Sequence, residues 1–249
     1  MQEPTRSFVR LFCPPNPFWG LRRLVDFLKD RSTYSRLGGG HIDYRDLLPL
    51  LNDKTDTTPL GYYFYQDTWA FHKIAAARPA RHVDVGSTAL LVGCLAGIVP
   101  TISVDIRPLN VTLAGLTHSR GSIVDLPFET NSIDSLSSLC VIEHIGLGRY
   151  GDPLDPAGSA RAGRELARVL RPGGNLYVSL PIGAHSETVF NAHRVFAMAD
   201  ALTLFPGLTL REHVLVGNDG ILPSLESAGA ADFPVGLFHM TKTEAKATA

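Results

Sequence analysis

From His82 onward the chain alternates short apolar runs with helix-period stripes, and this alternation constrains the fold more than any other feature of its 249 residues. The runs HVDVG, TISVDI, GSIVDL, IDSLSSLCV and NLYVSLP have the length and apolar bias of strands buried on both faces. Between the fourth and fifth, Ala162, Leu166, Val169 and Leu170 fall on one helical stripe, which Pro172 and the Gly173-Gly174 turn end. Strands separated by helices require crossovers, and right-handed crossovers build a parallel sheet covered on both faces. Two later runs, LTLREHVLV and FPVGLFHM, complete a mostly parallel, seven-stranded α/β sheet.

Before about Pro79 the texture is helical. Leu21, Leu24, Val25 and Leu28 share one helix face while Arg22, Arg23, Asp26 and Lys29 mostly turn away. Gly38-Gly39-Gly40 and the polar run 52–59 interrupt this region, and GYYFYQDTWAFHKIAAA, residues 61–77, reads as a helix feeding the first strand. The expected organisation is a helical N-terminal appendage over residues 1–78 and a Rossmann-like domain over residues 79–249.

Partners are narrowed by charge and by what the chain lacks. With 45% hydrophobic and 19% charged residues it can bury a full core, and a formal charge of −1 gives no electrostatic reason to expect nucleic acid or an anionic membrane. Cys13, Cys94 and Cys140 form no C-x-x-C pair, which favours a reducing compartment. The stretch MQEPTRSFVRLFCPPNPF has no continuous apolar core of a signal peptide, and no later segment offers an uninterrupted apolar span for a bilayer. The expectation is a cytoplasmic protein acting on small molecules, its oligomeric state left open.

RHVDVGSTALLVG, residues 81–93, reads as a strand, a tight turn at Gly86 and a helix. Thr88 and Leu91 stand where the second and third glycines of G-x-G-x-x-G would fall. Those glycines let backbone approach a pyrophosphate and let helix pack on strand, so their loss argues against a dinucleotide more than against a nucleoside without phosphate. Asp105 closes TISVDI twenty-one positions after Asp84, near the spacing of roughly 20 at which a carboxylate meets ribose hydroxyls. The plainer alternatives are that Asp105 caps its strand and that Asp84 organises the turn.

GSIVDLPFETNSIDSLSSLCVIEHI followed by RELARVLRPGGNLYVSLP resembles the second half of class I methyltransferases that use S-adenosylmethionine, and VDVGS with VDIRPL fits the first half. The resemblance runs from about Arg81 to Pro181. More closely, YFYQDTWA, EHIGLGRYGDPLDP and FNAHRVF are similar to a family of uncharacterised methyltransferase-like proteins whose bacterial members often accompany polysaccharide genes. The resemblance implies a Rossmann-like class I methyltransferase fold, S-adenosylmethionine as cofactor, and methyl transfer to oxygen on a sugar or other small polar acceptor. It implies Asp84, Gly86 and Ser87 against the methionine portion and Asp105 and Ile106 at the ribose and adenine edge. Ser122 and Ile123 stand where the family usually places an acid near adenine, and Leu139 and Cys140 would close the other side.

A hydroxyl acceptor needs a base for its proton, and a histidine titrates near neutrality. His144, just after the fourth strand, is the first candidate, and His193 in FNAHRVF, reaching the same mouth after the fifth, is the second. The alternatives are that Glu143 and His144 pair with local backbone at a helix start and that His193 is an ordinary surface residue. Glu143, His144 and His193 are of metal-ligating type but have no compact ligand spacing, so no metal is expected. The loop GLGRYGDPLDPAG supplies polar groups suited to a polyhydroxylated acceptor, and Glu143, Arg149, Tyr150 and Arg194 are the expected acceptor contacts. Tyr62, Tyr63, Phe64, Tyr65 and Trp69 read chiefly as core. From another functional class, the same features fit a catalytically silent fold used for binding or scaffolding.

Overall fold

A computed structural model describes residues 17–47, 49, 60–228 and 234–243. Residues 1–16 of the N-terminal stretch, Cys13 among them, the whole polar run 52–59 and Phe233 lie outside these. The chain forms two compact units, Met1–Thr58 and Pro59–Ala249. In the first, α1 (Pro17–Tyr34) contains the predicted apolar stripe and runs into a wider turn, Ser35–Gly39, in which Gly38 takes a positive φ of 98°. Its Arg31 Nη2 donates to the Ile42 carbonyl at 2.6 Å.

The second unit is built on one sheet. After α2 (Gly61–Ala77) come β1 (His82–Val85), α3 (Ala89–Ala96), β2 (Thr101–Asp105), β3 (Leu116–Arg120) and β4 (Ile133–Leu139). Then follow α4 (Gly158–Val169), β5 (Leu170–Gly183), β6 (Glu187–Val189), β7 (His193–Ala197), α5 (Met198–Thr203), β8 (Leu208–Val216), β9 (Ile221–Leu222) and β10 (Val235–Lys242). The strand order is β3-β2-β1-β4-β5-β10-β8-β9. The first five pair in parallel, and β10 runs antiparallel to both β5 and β8. This is the expected mostly parallel, seven-stranded Rossmann-like sheet, extended by the short edge strand β9 and by a β6–β7 hairpin whose second strand pairs with the end of β5.

All four residues of β1 are buried, and since alternate side chains point to opposite faces, both faces of the sheet are covered. Val83 and Val85 join a core with Val104, Leu136, Leu166 and Leu180 on the α4 side. On the other face Ala70 and Ile74 of α2 pack with Leu91 and Leu95 of α3 and with Leu139 and Tyr177. Helix α2 therefore closes the sheet directly above β4 and β5. Among the described residues no helix is long and apolar enough to cross a membrane.

The third strand is not where the apolar pattern put it. GSIVDL forms a turn, with Asp125 N–H donating to the Ser122 carbonyl at 2.9 Å, and the strand is LTHSR just before it. Ile123 and Leu126 are buried three positions apart, a turn spacing rather than a strand alternation. The actual β3 is a half-exposed sheet edge, where polar residues are tolerated. Two smaller differences follow β4. Leu170, expected on the helical stripe, opens β5 across a register irregularity near Ile133, and His193 begins β7.

Candidate functional site

Gly86, with φ of 74°, turns the chain out of β1, and its N–H donates to the Val104 carbonyl at 3.1 Å. A Cβ there would lie 3.1 and 3.2 Å from the two γ-methyls of Val141. Ser87 N–H donates to Asp84 Oδ1 at 3.1 Å, and Ser87 Oγ accepts the Leu139 N–H at 3.1 Å, tying the turn to the end of β4. Thr88 is the N-cap of α3: its Oγ1 accepts the Leu91 N–H at 3.3 Å and donates to Asp67 Oδ2 at 2.6 Å. Leu91, only 3% exposed, belongs to the core under α2. Both positions lacking glycine thus have structural work that a glycine would not do.

A buried polar chain supports the turn from below. Ser137 Oγ donates to Asp84 Oδ2 at 2.5 Å and so accepts from His82 Nε2 at 2.9 Å, which leaves His82 Nδ1 to accept from Ser135 Oγ at 2.8 Å. Burial pushes the Asp84 carboxyl up to about 6 and holds the His82 imidazole down to about 3. Asp84 faces this chain inside the sheet, and Ser87 and Leu139 sit beside it behind the cavity wall.

The cavity itself, about 330 Å³, opens at the carboxyl ends of β1, β2 and β4, where the strand order reverses. Such a switch point is the usual ligand crevice of an open α/β sheet, and the volume is in the small-ligand range. Gly86, Asp105, Ile106 and Cys140 line it, as do Ser122, Ile123, His144 and Tyr150. Asp105 Oδ1 accepts the Arg107 N–H at 2.7 Å, which fixes the carboxylate at the end of β2. Cys140 has a positive φ of 51°, a conformation that costs a side-chain-bearing residue roughly 1 kcal/mol or more. Three contacts hold it there: its N–H donates to Ser179 Oγ at 2.9 Å, its Sγ lies 3.0 Å from Gln66 Oε1, and Ser179 Oγ donates to that same oxygen at 2.7 Å.

At the outer rim, Tyr150 carries the Arg107 guanidinium 4.9 Å from its ring centre and the Arg149 guanidinium 5.1 Å from it. The His144 ring meets Tyr150 edge to face at 5.6 Å. His144 Nδ1 lies 2.7 Å from the Ala192 carbonyl, which can only accept, so Nδ1 carries the proton and Nε2 the lone pair. Arg149 Nη1 donates to the same carbonyl at 2.9 Å. Burial lowers the His144 imidazole below the ordinary histidine range.

Other candidates lie apart from this cavity. Glu143 is 2% exposed behind it, and burial pushes its carboxyl up to about 8. Arg194, 8% exposed, spends its guanidinium on the Ile145 carbonyl at 2.6 Å, Ser159 Oγ at 3.0 Å and the Asp155 carbonyl at 3.3 Å, holding the loop after β4. His193 lines a separate cleft with Glu187, Val189, Met198 and Leu225. Gln66 and Asp67 of α2, and Val141, were not singled out from sequence. The visible signal for the first two was a pair of polar residues inside the aromatic run YFYQDTWA. Among the described residues no group of three His, Cys, Asp or Glu side chains is placed to hold a metal ion.

The profile of a family described as "Caenorhabditis protein of unknown function, DUF268" matches residues 127–212, from the loop before β4 into β8. No curated protein matches the chain. Among solved structures, the N-methyltransferase NodS from Bradyrhizobium japonicum WM9 is similar with a TM-score of 0.54 at 16% identity, over 74% of this chain and 97% of that one. The Burkholderia thailandensis 1,6-didemethyltoxoflavin-N1-methyltransferase, solved with 1,6-didemethyltoxoflavin and S-adenosylhomocysteine bound, aligns over 90% of each chain at 14% identity and a TM-score of 0.52. The [4+2]-cyclase SpnF aligns over 72% of this chain and 82% of its own, at 16% identity and a TM-score of 0.52. These likenesses show the fold: the sheet and its covering helices form a class I methyltransferase-like Rossmann domain.

Proposed function

We propose that the chain is an S-adenosylmethionine-dependent methyltransferase acting on oxygen of a small polar acceptor such as a sugar. The observation that carries this reading is the cavity at the β1–β4 switch point, with Gly86 at positive φ on one side and the Asp105 carboxylate on another. A side chain at Gly86 would crowd Val141, so the turn is a cradle that only glycine leaves open. Its residues fit a nucleoside with a compact charged tail and no pyrophosphate. When bound there, S-adenosylmethionine supplies an electrophilic methyl group.

In this reading Gly86 lies along the methionine portion, with Asp84 and Ser87 holding the turn from behind. Asp105 accepts from the ribose hydroxyls, Ile106, Ser122 and Ile123 flank adenine, and Cys140 closes the opposite side with Leu139 behind it. Tyr150 and Arg149 meet the acceptor at the rim, while Arg194 keeps their loop in place. His144 Nε2 takes the acceptor's proton, and His193 in the neighbouring cleft is the alternative base. A reducing, cytoplasmic setting suits the free thiols of Cys94 and Cys140.

Calorimetric titration with S-adenosylmethionine, S-adenosylhomocysteine and NAD tests the reading. Binding of both sulfur compounds, with NAD at background, is expected. No heat from either sulfur compound at millimolar concentration would overturn it. A second reading, a fold kept for binding without methyl transfer, is favoured by the use of Thr88 and Leu91 for a cap and for core. Binding without turnover of any acceptor tried would support it.

A further inference from the structure

We infer that Glu143 and His144 act as one proton-handling pair, in which His144 Nε2 receives the acceptor's proton and the sealed Glu143 carboxyl behind it supplies the counter-charge. The role in turnover rests on the methyltransferase reading, whereas the pairing is drawn from geometry alone. Because His144 Nδ1 donates to the Ala192 carbonyl at 2.7 Å, Nε2 is the only ring nitrogen with a lone pair to offer. That nitrogen lies 3.6 Å from Glu143 Oε1. The distance is too long for a good hydrogen bond but short enough for each group to feel the other's charge strongly. Glu143 Oε2 is buried with no hydrogen-bond partner.

A bare carboxylate in such a place is costly, and so is a bare imidazolium. Glu143 faces the Cys140 thiol at the end of β4 and, through α2, the hydroxyls of Tyr62 and Tyr63, while the Arg149 guanidinium favours its carboxylate but less than burial opposes it. Around His144, burial, Arg149 and His193 oppose a positive charge, while the Ala192 carbonyl and Asp152 favour one. The pair is therefore best satisfied by one proton, held either as Glu143 O–H beside neutral imidazole or as carboxylate beside imidazolium.

This sets which form can act as base. As the acceptor oxygen takes the methyl group, the donor's S–C bond breaks with its electron pair returning to sulfur, the acceptor's O–H bond breaks with its electron pair staying on oxygen, and the proton moves to Nε2. An empty pair becomes a singly protonated pair, its preferred state, whereas a pair already holding one proton would have to accept a second. Glu143 does not touch the acceptor and is a positioning residue. It places the active form of His144 on the alkaline side of neutrality, where a buried histidine acting alone would already be active well below.

The test is an NMR titration of the full-length protein labelled in its histidine rings and glutamate carboxyls, with neither cofactor nor acceptor added. In the parent, the His144 ring signals should report a step in the alkaline range where Glu143 ionises. In Glu143→Gln that step should vanish, and the His144 midpoint should move by about one pH unit, the scale of a coupled pair. Reciprocally, the Glu143 carboxyl midpoint should move by a similar amount in His144→Gln, which keeps the inference testable if Glu143→Gln folds poorly. Identical His144 curves in parent and Glu143→Gln, or an unmoved carboxyl in His144→Gln, would overturn the pair. Failure of the methyltransferase reading would appear separately, as absent binding in the calorimeter with the coupling intact.

Discussion

Thr88 Oγ1 donates to Asp67 Oδ2 at 2.6 Å while accepting the Leu91 N–H at 3.3 Å, so a residue in a glycine position joins α2 to the first turn of α3. Asp67 is held in turn by Gln66 Nε2 at 3.0 Å. Thr88→Ala removes the cap and deprives Asp67 of its hydroxyl donor, so urea unfolding should show a loss of about 1 to 2 kcal/mol. Loss of less than about 0.3 kcal/mol would mean that water replaces both bonds without penalty. Asp67→Asn keeps an acceptor for Thr88 and should cost less than Thr88→Ala.

Asp105 is fixed at the end of β2 by the Arg107 N–H at 2.7 Å on Oδ1. If the carboxylate accepts ribose hydroxyls, Asp105→Ala should weaken S-adenosylmethionine binding at least tenfold, since charge-assisted bonds contribute roughly 1.5 to 3 kcal/mol each. Calorimetry reads the affinity and a thermal melt reads the fold. An unchanged dissociation constant would reduce Asp105 to an organiser of its own turn.

Stability against pH separates the buried acids from the buried base. The Asp84 and Glu143 carboxyls are pushed up from ordinary values to about 6 and about 8, so the folded state holds their protons more tightly than the unfolded chain does. Their contribution is present in full only below the ordinary carboxyl values of 3.8 and 4.5 and is lost as pH rises from there through 6 for Asp84 and 8 for Glu143. His82 is lowered from 6.5 to about 3, and its contribution is lost as pH falls below 6.5, opposing them in acid. Between pH 6.5 and 8 the Glu143 effect is left exposed. Over that range the parent should lose up to about 2 kcal/mol that Glu143→Gln does not lose, as read by urea midpoints at each pH. Parallel profiles would show that Glu143 ionises without penalty.

Legibility in the sequence followed how local each signal was. Helix α2 was readable as Gly61–Ala77 because its ends are marked by glycine and by the Arg-Pro pair, and HVDV and TISVD because strands buried on both faces concentrate apolar residues. LTHSR was missed because an edge strand bonds on one side only and needs little apolar surface, while neighbouring Ile123 and Leu126 drew attention to a turn. The three-residue strand β6 is exposed throughout and too short to show an apolar alternation. At the site, Gly86 and Asp105 stood out because strand ends mark the ligand edge of such a sheet. Gln66 could not be found that way: its bond to Ser179 spans 113 residues, and nothing local announces it. The sealing of Glu143 likewise depends on groups from α2 and β4 that meet only in the folded chain.

Gly86 and Val141 offer a test of the cradle itself. Gly86→Ala must hold a φ of 74° with a side chain, which costs roughly 1 to 2 kcal/mol, and its methyl must push on Val141 γ-carbons at 3.1 and 3.2 Å. Val141→Ala removes that obstacle but cannot relieve the backbone. The double variant should therefore be more stable than the sum of the two single losses predicts, by about 0.5 kcal/mol or more, while remaining less stable than Val141→Ala alone. S-adenosylmethionine affinity should fall in Gly86→Ala and recover only in part in the double variant, because both residues line the cavity. Strict additivity in urea unfolding would show that the new methyl finds room without moving Val141, and full recovery of affinity would show that the positive φ at residue 86 is not what keeps the cradle open.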